Sequence, residues 1–325
     1  MTPPADEWSM IEEAVSRLFG EVAAPGVHVR IGDRLAELGW SEIEAEYPVE
    51  AAALLFRAQG RSLAQTECLD AAIRAELPAV LTERVDAIVL PSLTHGAVQT
   101  ADSDATGVVL GPAEGPHGRL AFVVRSATGY SLCAVETSEV RASPMNTFDP
   151  TVQWTNVTAP MPGIGVDVTA HWDRALAAAH RALATELIAV ADEALATAVE
   201  HVGVRVQYGK AIGAMQSPRH ALAEASARLE GARALLDASW RYGGVTFALA
   251  TKAAAGRAHR GVADVALQVC GAIGLTHEHR LHRYVSRGLQ LDALCGSAQQ
   301  LETQLANALF APDSVDDGLP VFDVL

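Results

Sequence analysis

Two short segments of this 325-residue chain carry groups that can act on a ligand. The first is Arg205-Val206-Gln207-Tyr208-Gly209-Lys210-Ala211-Ile212-Gly213, followed by Gln216. The second is Gln268-Val269-Cys270-Gly271-Ala272-Ile273-Gly274. Each interrupts a helical pattern and puts glycine where backbone can approach a ligand closely. The first offers a cation and an aromatic ring, and both offer amide side chains. That set suits a dinucleotide: charge for the pyrophosphate, a flat face for the adenine, amides for polar edges.

Long helices must hold both segments. His171–His201 has almost no breaker, and Gln216–Tyr242 and Val245–Val269 follow with Gly243-Gly244 between them. Leu281–Arg287 is expected as a short helix and Leu289–Phe310 as a last one. Helices with short breaks describe an up-and-down bundle. Upstream, residues 6–77 read as helical: Trp8, Ile11, Val15, Leu18 and Phe19 recur at helical spacing, as do Ala51, Leu54, Leu55 and Ala58. Pro48 stands near the start of the second run, where proline is tolerated. Residues 80–160 differ. Ala87–Leu90, Gly107–Leu110, Leu120–Val124 and Tyr130–Val135 are short apolar runs separated by Gly, Pro, Asp, Ser and Thr. That is a strand-and-turn signature, with alternation too partial to assign faces. Pro160-Met161-Pro162-Gly163 closes it. The expected order is a helical region over 1–79, a small β unit over 80–165, and a helical bundle over 166–325 ending in an acidic tail from Pro312.

Composition excludes some functions. The formal net charge is −15, whereas nucleic-acid binding needs a basic face to neutralise phosphates. Half of the residues are hydrophobic and only 5% aromatic, which fits helix packed on helix. Cys68, Cys133, Cys270 and Cys295 are widely spaced, without a CxxC pair, so reduced thiols and a cytoplasmic location are expected. The acidic start MTPPADEWSMIEEAV lacks the apolar stretch of a signal peptide. No uncharged apolar run is long enough to span a bilayer. His277-Glu278-His279 lacks the spacing of a helical metal motif, and His282 adds only one neighbour three residues on. No metal site is expected there.

The two segments, in this order and with these helices between them, resemble the C-terminal half of the acyl-CoA dehydrogenases. The family pattern runs Arg, spacer, aromatic-Gly, Ile-Gly, Gln. It is matched by Arg205, Tyr208-Gly209, Ile212-Gly213 and Gln216. The family's Gln-x-x-Gly-Gly-x-Gly is matched by Gln268 to Gly274, with Ala272 in place of one glycine. Leu275 to His282 also resembles the family stretch that follows. The resemblance implies the acyl-CoA dehydrogenase fold: mainly α with a small β unit, made of an N-terminal helical domain, a middle β-barrel-like domain and a C-terminal four-helix bundle. It also implies FAD, reached by this loop in a neighbouring subunit. Arg205 would then meet the pyrophosphate and Tyr208 the adenine end. Gln207, Gln216, Gln268 and Gly271 would complete the contacts.

The resemblance fails at the catalytic base. These enzymes remove the α-proton of a thioester with a glutamate held within hydrogen-bond reach. The family places it at one of two positions, which correspond here to Ala179 and Cys295. Neither is a carboxylate. Glu186 and Glu193 lie on the same helix as Ala179, but Glu186 is already about two turns away, roughly ten ångströms. His180 and Cys295 are weaker substitutes. The family's β-region pattern for holding the isoalloxazine is also missing between 80 and 160, where Ala97-Val98-Gln99-Thr100 carries nothing like it. Only Phe148-Asp149-Pro150 and Trp154 resemble the family's last β strands.

Three readings follow, in descending order. In the first, the chain is the base-lacking subunit of an actinobacterial α2β2 acyl-CoA dehydrogenase, of the kind used in steroid side-chain breakdown. It completes a FAD site while a homologous catalytic subunit supplies the base, with an acyl-CoA as substrate and electron-transfer flavoprotein as acceptor. In the second, it is a self-sufficient dehydrogenase with a displaced base. In the third, it is a FAD-free structural homologue.

Overall fold

The computed structural model describes residues 4–79, 85–93, 104–113, 118–126, 128–147, 149–161 and 165–310. Ala97-Val98-Gln99-Thr100, Phe148, Pro162-Gly163 and the tail from Pro312 lie outside the described residues.

Among the described residues, five helices come first: α1 Ala5–Val22, α2 Gly32–Glu37, α3 Trp40–Glu46, α4 Pro48–Ser62 and α5 Cys68–Ala75. The helical spacing of α1 buries Val15, Leu18, Phe19 and Val22. Pro48 opens α4 at its first turn, where the missing N–H has no intrahelical partner to lose. Gly60 of α4 is a close-approach glycine. A Cβ there would stand 2.7 Å from the Glu186 carbonyl oxygen and 2.9 Å from Ala189 Cβ.

Among the described residues the β unit is one seven-stranded sheet: β1 Ala87–Pro91, β2 Ala105–Leu110, β3 Arg119–Ser126, β4 Gly129–Glu136, β5 Arg141–Pro144, β6 Trp154–Ala159 and β7 Val166–Asp167. The strand order is β5-β6-β2-β1-β3-β4-β7. β1 and β3 run parallel, and every other described pair is antiparallel. Leu120, Phe122 and Val124 of β3 join one core with Val109, Cys133, Val135 and Val157. Ala121 and Val123 face the opposite way, into the core shared with the helices. Both faces are buried, and this is why polar and apolar residues fail to alternate along these strands.

The last part holds α6 Thr169–Val204, α7 Gln216–Tyr242, α8 Val245–Cys270, α9 Leu281–Ala293 and α10 Ala298–Leu309. Alanines 179, 182, 184, 191, 194 and 198 of α6 and 255, 258, 263 and 266 of α8 are buried, so the two axes pack closely. Among the described residues no helix is long and apolar enough to cross a membrane.

The last helical stretch corrects the sequence reading. The boundary expected near Gly288 is absent, and α9 runs straight through it. Gly288 is there for packing: a Cβ would sit 1.9 Å from His259 Nε2. The break falls instead after Ala293. Cys295 and Gly296 adopt φ of 53° and 98°. Ser297 then caps α10 in a reciprocal capping box with Gln300.

Candidate active site and exposed hairpin

The Arg205 segment is a two-residue hairpin. Val206 pairs with Ala211 and Gln207 with Lys210. The turn residues Tyr208 and Gly209 both have positive φ, 52° and 78°. A type I′ turn requires this, and it suits glycine at the second position far better than tyrosine at the first. Ile212 N–H donates to the Arg205 carbonyl at 2.8 Å and closes the hairpin. Gly213 seats the following turn on α6, since a Cβ would meet the Val202 carbonyl oxygen at 3.0 Å.

The hairpin presents its side chains outward. Tyr208 is 92% exposed. Arg205, Gln207 and Gln216 are also exposed, and among the described residues no ion pair engages Arg205. Gln268 is exposed on the last turn of α8. Gly271 ends that helix with φ of 67° and open space where a Cβ would stand. Both segments lie at the same end of the bundle. The His201 ring meets the His279 ring at 5.8 Å, and Arg280 pairs with Glu200 at 3.1 Å. Val204, Val206, Ile273 and Leu275 are exposed apolar residues of the same segments.

The two positions expected for a base come together, but deep in the fold. Ala179 is fully buried and Cys295 nearly so. His180 Nε2 lies 3.0 Å from the Cys295 carbonyl oxygen. A carbonyl only accepts, so Nε2 carries the proton, and the buried Nδ1 has no partner. Burial lowers the His180 pKa to about 4, against a smaller opposing effect of the Cys295 carbonyl. Burial raises the Cys295 thiol to about 11, with Lys252 pulling the other way. Lys252 is itself buried and donates to the carbonyls of Asp292 at 2.7 Å and Gly296 at 2.6 Å, tying down the turn that holds Cys295. Burial lowers its pKa to about 8, although Asp292 opposes this. A neutral imidazole, a neutral thiol and an engaged amine make no strong base.

Glu186 is committed elsewhere. It is buried, with Oε1 3.2 Å from Arg287 Nη2 and Oε2 accepting from Gln59 Nε2 at 2.8 Å. Burial raises its pKa, opposed by Arg287 and Gln59. Arg287 also donates to the Ala64 carbonyl at 2.7 Å, linking α9, α6 and the segment after α4. Glu193 is half-buried, and its carbonyl accepts from Thr197. The space lined by His28, Gln59, Glu186, Arg287, Leu183 and Leu294 amounts to about 20 Å³, too little for an acyl chain. A roomier cavity of about 500 Å³ lies between the N-terminal helices and the sheet, lined by His28, Arg30, Glu67, Asp70 and Asp86.

Sequence reasoning did not find Lys252, Arg287 or Gln59. A lysine inside the alanine-rich run 248–258 was the available signal, because a buried ammonium must have partners. His277, Glu278 and His279 do not converge as one set. His279 instead meets His201 and Cys270, and the three side-chain ligand atoms all lie within 4.8 Å of one another.

Comparison with known proteins agrees with this architecture. Residues 173–310 match the acyl-CoA dehydrogenase C-terminal domain. Acyl-CoA dehydrogenase IpdE2 of Mycobacterium tuberculosis is 29% identical over 331 residues, covering 93% of this chain and 95% of that protein. A solved Tcur3481–Tcur3483 steroid acyl-CoA dehydrogenase variant superposes with a TM-score of 0.71 at 20% identity, over 94% of this chain and 98% of the other. The ChsE4–ChsE5 complex of M. tuberculosis gives a TM-score of 0.70 at 19% identity, over 95% and 99%. Residues 173–310 thus match the acyl-CoA dehydrogenase C-terminal domain, and over nearly its whole length the chain is similar to acyl-CoA dehydrogenase IpdE2 and shares the fold of solved acyl-CoA dehydrogenases.

Proposed function

We propose that this chain is the base-lacking subunit of a flavin-dependent acyl-CoA dehydrogenase and completes a FAD site held mainly by a homologous partner chain. One observation carries the reading: the two base positions, Ala179 and Cys295, are buried and hold no carboxylate, with His180 against the Cys295 carbonyl, while the groups assigned to the flavin stand out in solvent. An exposed guanidinium, an exposed ring on a short hairpin and an uncluttered glycine fit the pyrophosphate and adenine end of FAD. The roughly 20 Å³ space beside Glu186 does not fit an acyl chain. The solved neighbours include a steroid acyl-CoA dehydrogenase and a two-chain complex. They support a steroid-type acyl-CoA as substrate and a homologous chain as partner.

Bound FAD supplies the hydride acceptor for α,β-desaturation of the thioester, with electron-transfer flavoprotein as the onward acceptor. In this reading Arg205 neutralises the pyrophosphate, Tyr208 covers the adenine end, and Gln207, Gln216 and Gln268 hold polar edges. Gly271 lets the backbone close in. The partner's carboxylate takes the α-proton. Purified alone, the chain is predicted to be colourless and inactive. Co-expressed with a longer homologue carrying a glutamate at either base position, it is predicted to give a yellow, active complex. A flavin-loaded, active homo-oligomer would falsify the reading.

A further inference from the structure

We propose that His201, Cys270 and His279 form a binding site for a divalent transition metal of the zinc type. Their three ligand atoms lie mutually within 4.8 Å. They come from three separate elements: the last turn of α6, the final residue of α8 and the turn before α9. A tetrahedral site with zinc–sulfur and zinc–nitrogen bonds of normal length needs its ligand atoms about 3.5 Å apart. Side-chain rotation of about an ångström supplies the difference.

The backbone frame is built independently of any metal. Glu200 and Arg280, each adjacent to one of the histidines, pair at 3.1 Å and hold α6 against the α9 turn. Gly274 keeps its turn tight on Cys270, because a Cβ there would stand 3.0 Å from the cysteine's own Cβ. His282 Nδ1 lies 2.6 Å from the His279 carbonyl and braces the same segment. The Leu281 amide reaches His279 Nδ1 only at 3.3 Å, a long contact that ligation can replace.

Cys270 is buried, while His201 and His279 are half-buried. The site is thus open on one side, for metal entry and for water as fourth ligand. One thiolate and two imidazoles select zinc-like ions over magnesium or calcium, which prefer oxygen. Binding releases the Cys270 proton to solvent as the sulfur becomes a ligand. The metal would pin three chain segments at the bundle end that carries Gly271.

Co(II) added to the reduced, full-length protein reads the site directly. The account expects one equivalent bound, with a thiolate-to-cobalt charge-transfer band and tetrahedral d–d bands, displaced by Zn(II). Cys270→Ser should abolish the charge-transfer band, and Cys295→Ala should keep it. Should Cys270→Ser not fold, His201→Gln and His279→Gln report the same loss through the d–d bands. Absence of the band in the wild type, or an undiminished band in folded Cys270→Ser, overturns the proposal.

Discussion

His180 and Cys295 are 115 residues apart in sequence, yet His180 Nε2 lies 3.0 Å from the Cys295 carbonyl oxygen. His180 follows Ala179, so the fold brings the two family base positions, Ala179 and Cys295, to one buried place, and neither holds a carboxylate. The same interior predicts the fate of a restored base. Cys295→Glu would bury a carboxylate beside a Lys252 already engaged by the Asp292 and Gly296 carbonyls, costing about 3 kcal/mol or more. Urea unfolding is expected to show that loss, and α-proton exchange by the chain alone is expected to stay at background.

The Glu186–Arg287 pair is structural in this account. Glu186→Ala leaves Arg287 buried without its counter-charge, at a cost of about 3–5 kcal/mol. Glu186→Gln keeps the shape and should lose less. In the assembled enzyme, the Gln variant should retain normal turnover per folded complex. Abolished α-proton exchange in that variant would favour a displaced base instead.

His180 makes stability depend on pH. Its folded pKa is near 4 against an ordinary 6.5, so the unfolded chain binds a proton more readily. Its contribution is fully present above about pH 6.5 and is lost progressively as pH falls towards 4. His180→Asn should flatten the fall in Tm across that window. His259, also buried with a lowered pKa, should leave a residual slope.

Two helical glycines should respond oppositely to alanine. Gly288→Ala drives a Cβ into His259 and should cost about 1–3 kcal/mol. Gly231, with nothing within 4 Å of its would-be Cβ, should gain up to about 1 kcal/mol. Thermal melts of the two variants against the wild type check both signs.

These glycines also show what a sequence can and cannot reveal here. Gln216–Tyr242 was legible end to end, because Gly243-Gly244 interrupts an otherwise continuous helical pattern. Gly288 misled because a packing glycine and a breaking glycine are the same residue in sequence; only His259, arriving from α8, tells them apart. The short runs of β1 to β4 were legible as strands, but their faces were not, since both sides of the sheet are buried. The Arg205–Gln216 segment was legible as a break between helices, but not as a hairpin, because the pairing of Val206 with Ala211 and of Gln207 with Lys210 shows only in the fold. Glu186–Arg287 and His201–Cys270–His279 were invisible because their members meet only through the packing of distant helices.

The most direct measurement is the FAD affinity of the two-chain complex carrying Arg205→Ala, by fluorescence titration, with assembly checked by size-exclusion chromatography. Loss of a charge-assisted contact to the pyrophosphate should weaken FAD at least about tenfold while the complex stays intact. An intact complex that binds FAD as tightly as the wild type would contradict the account.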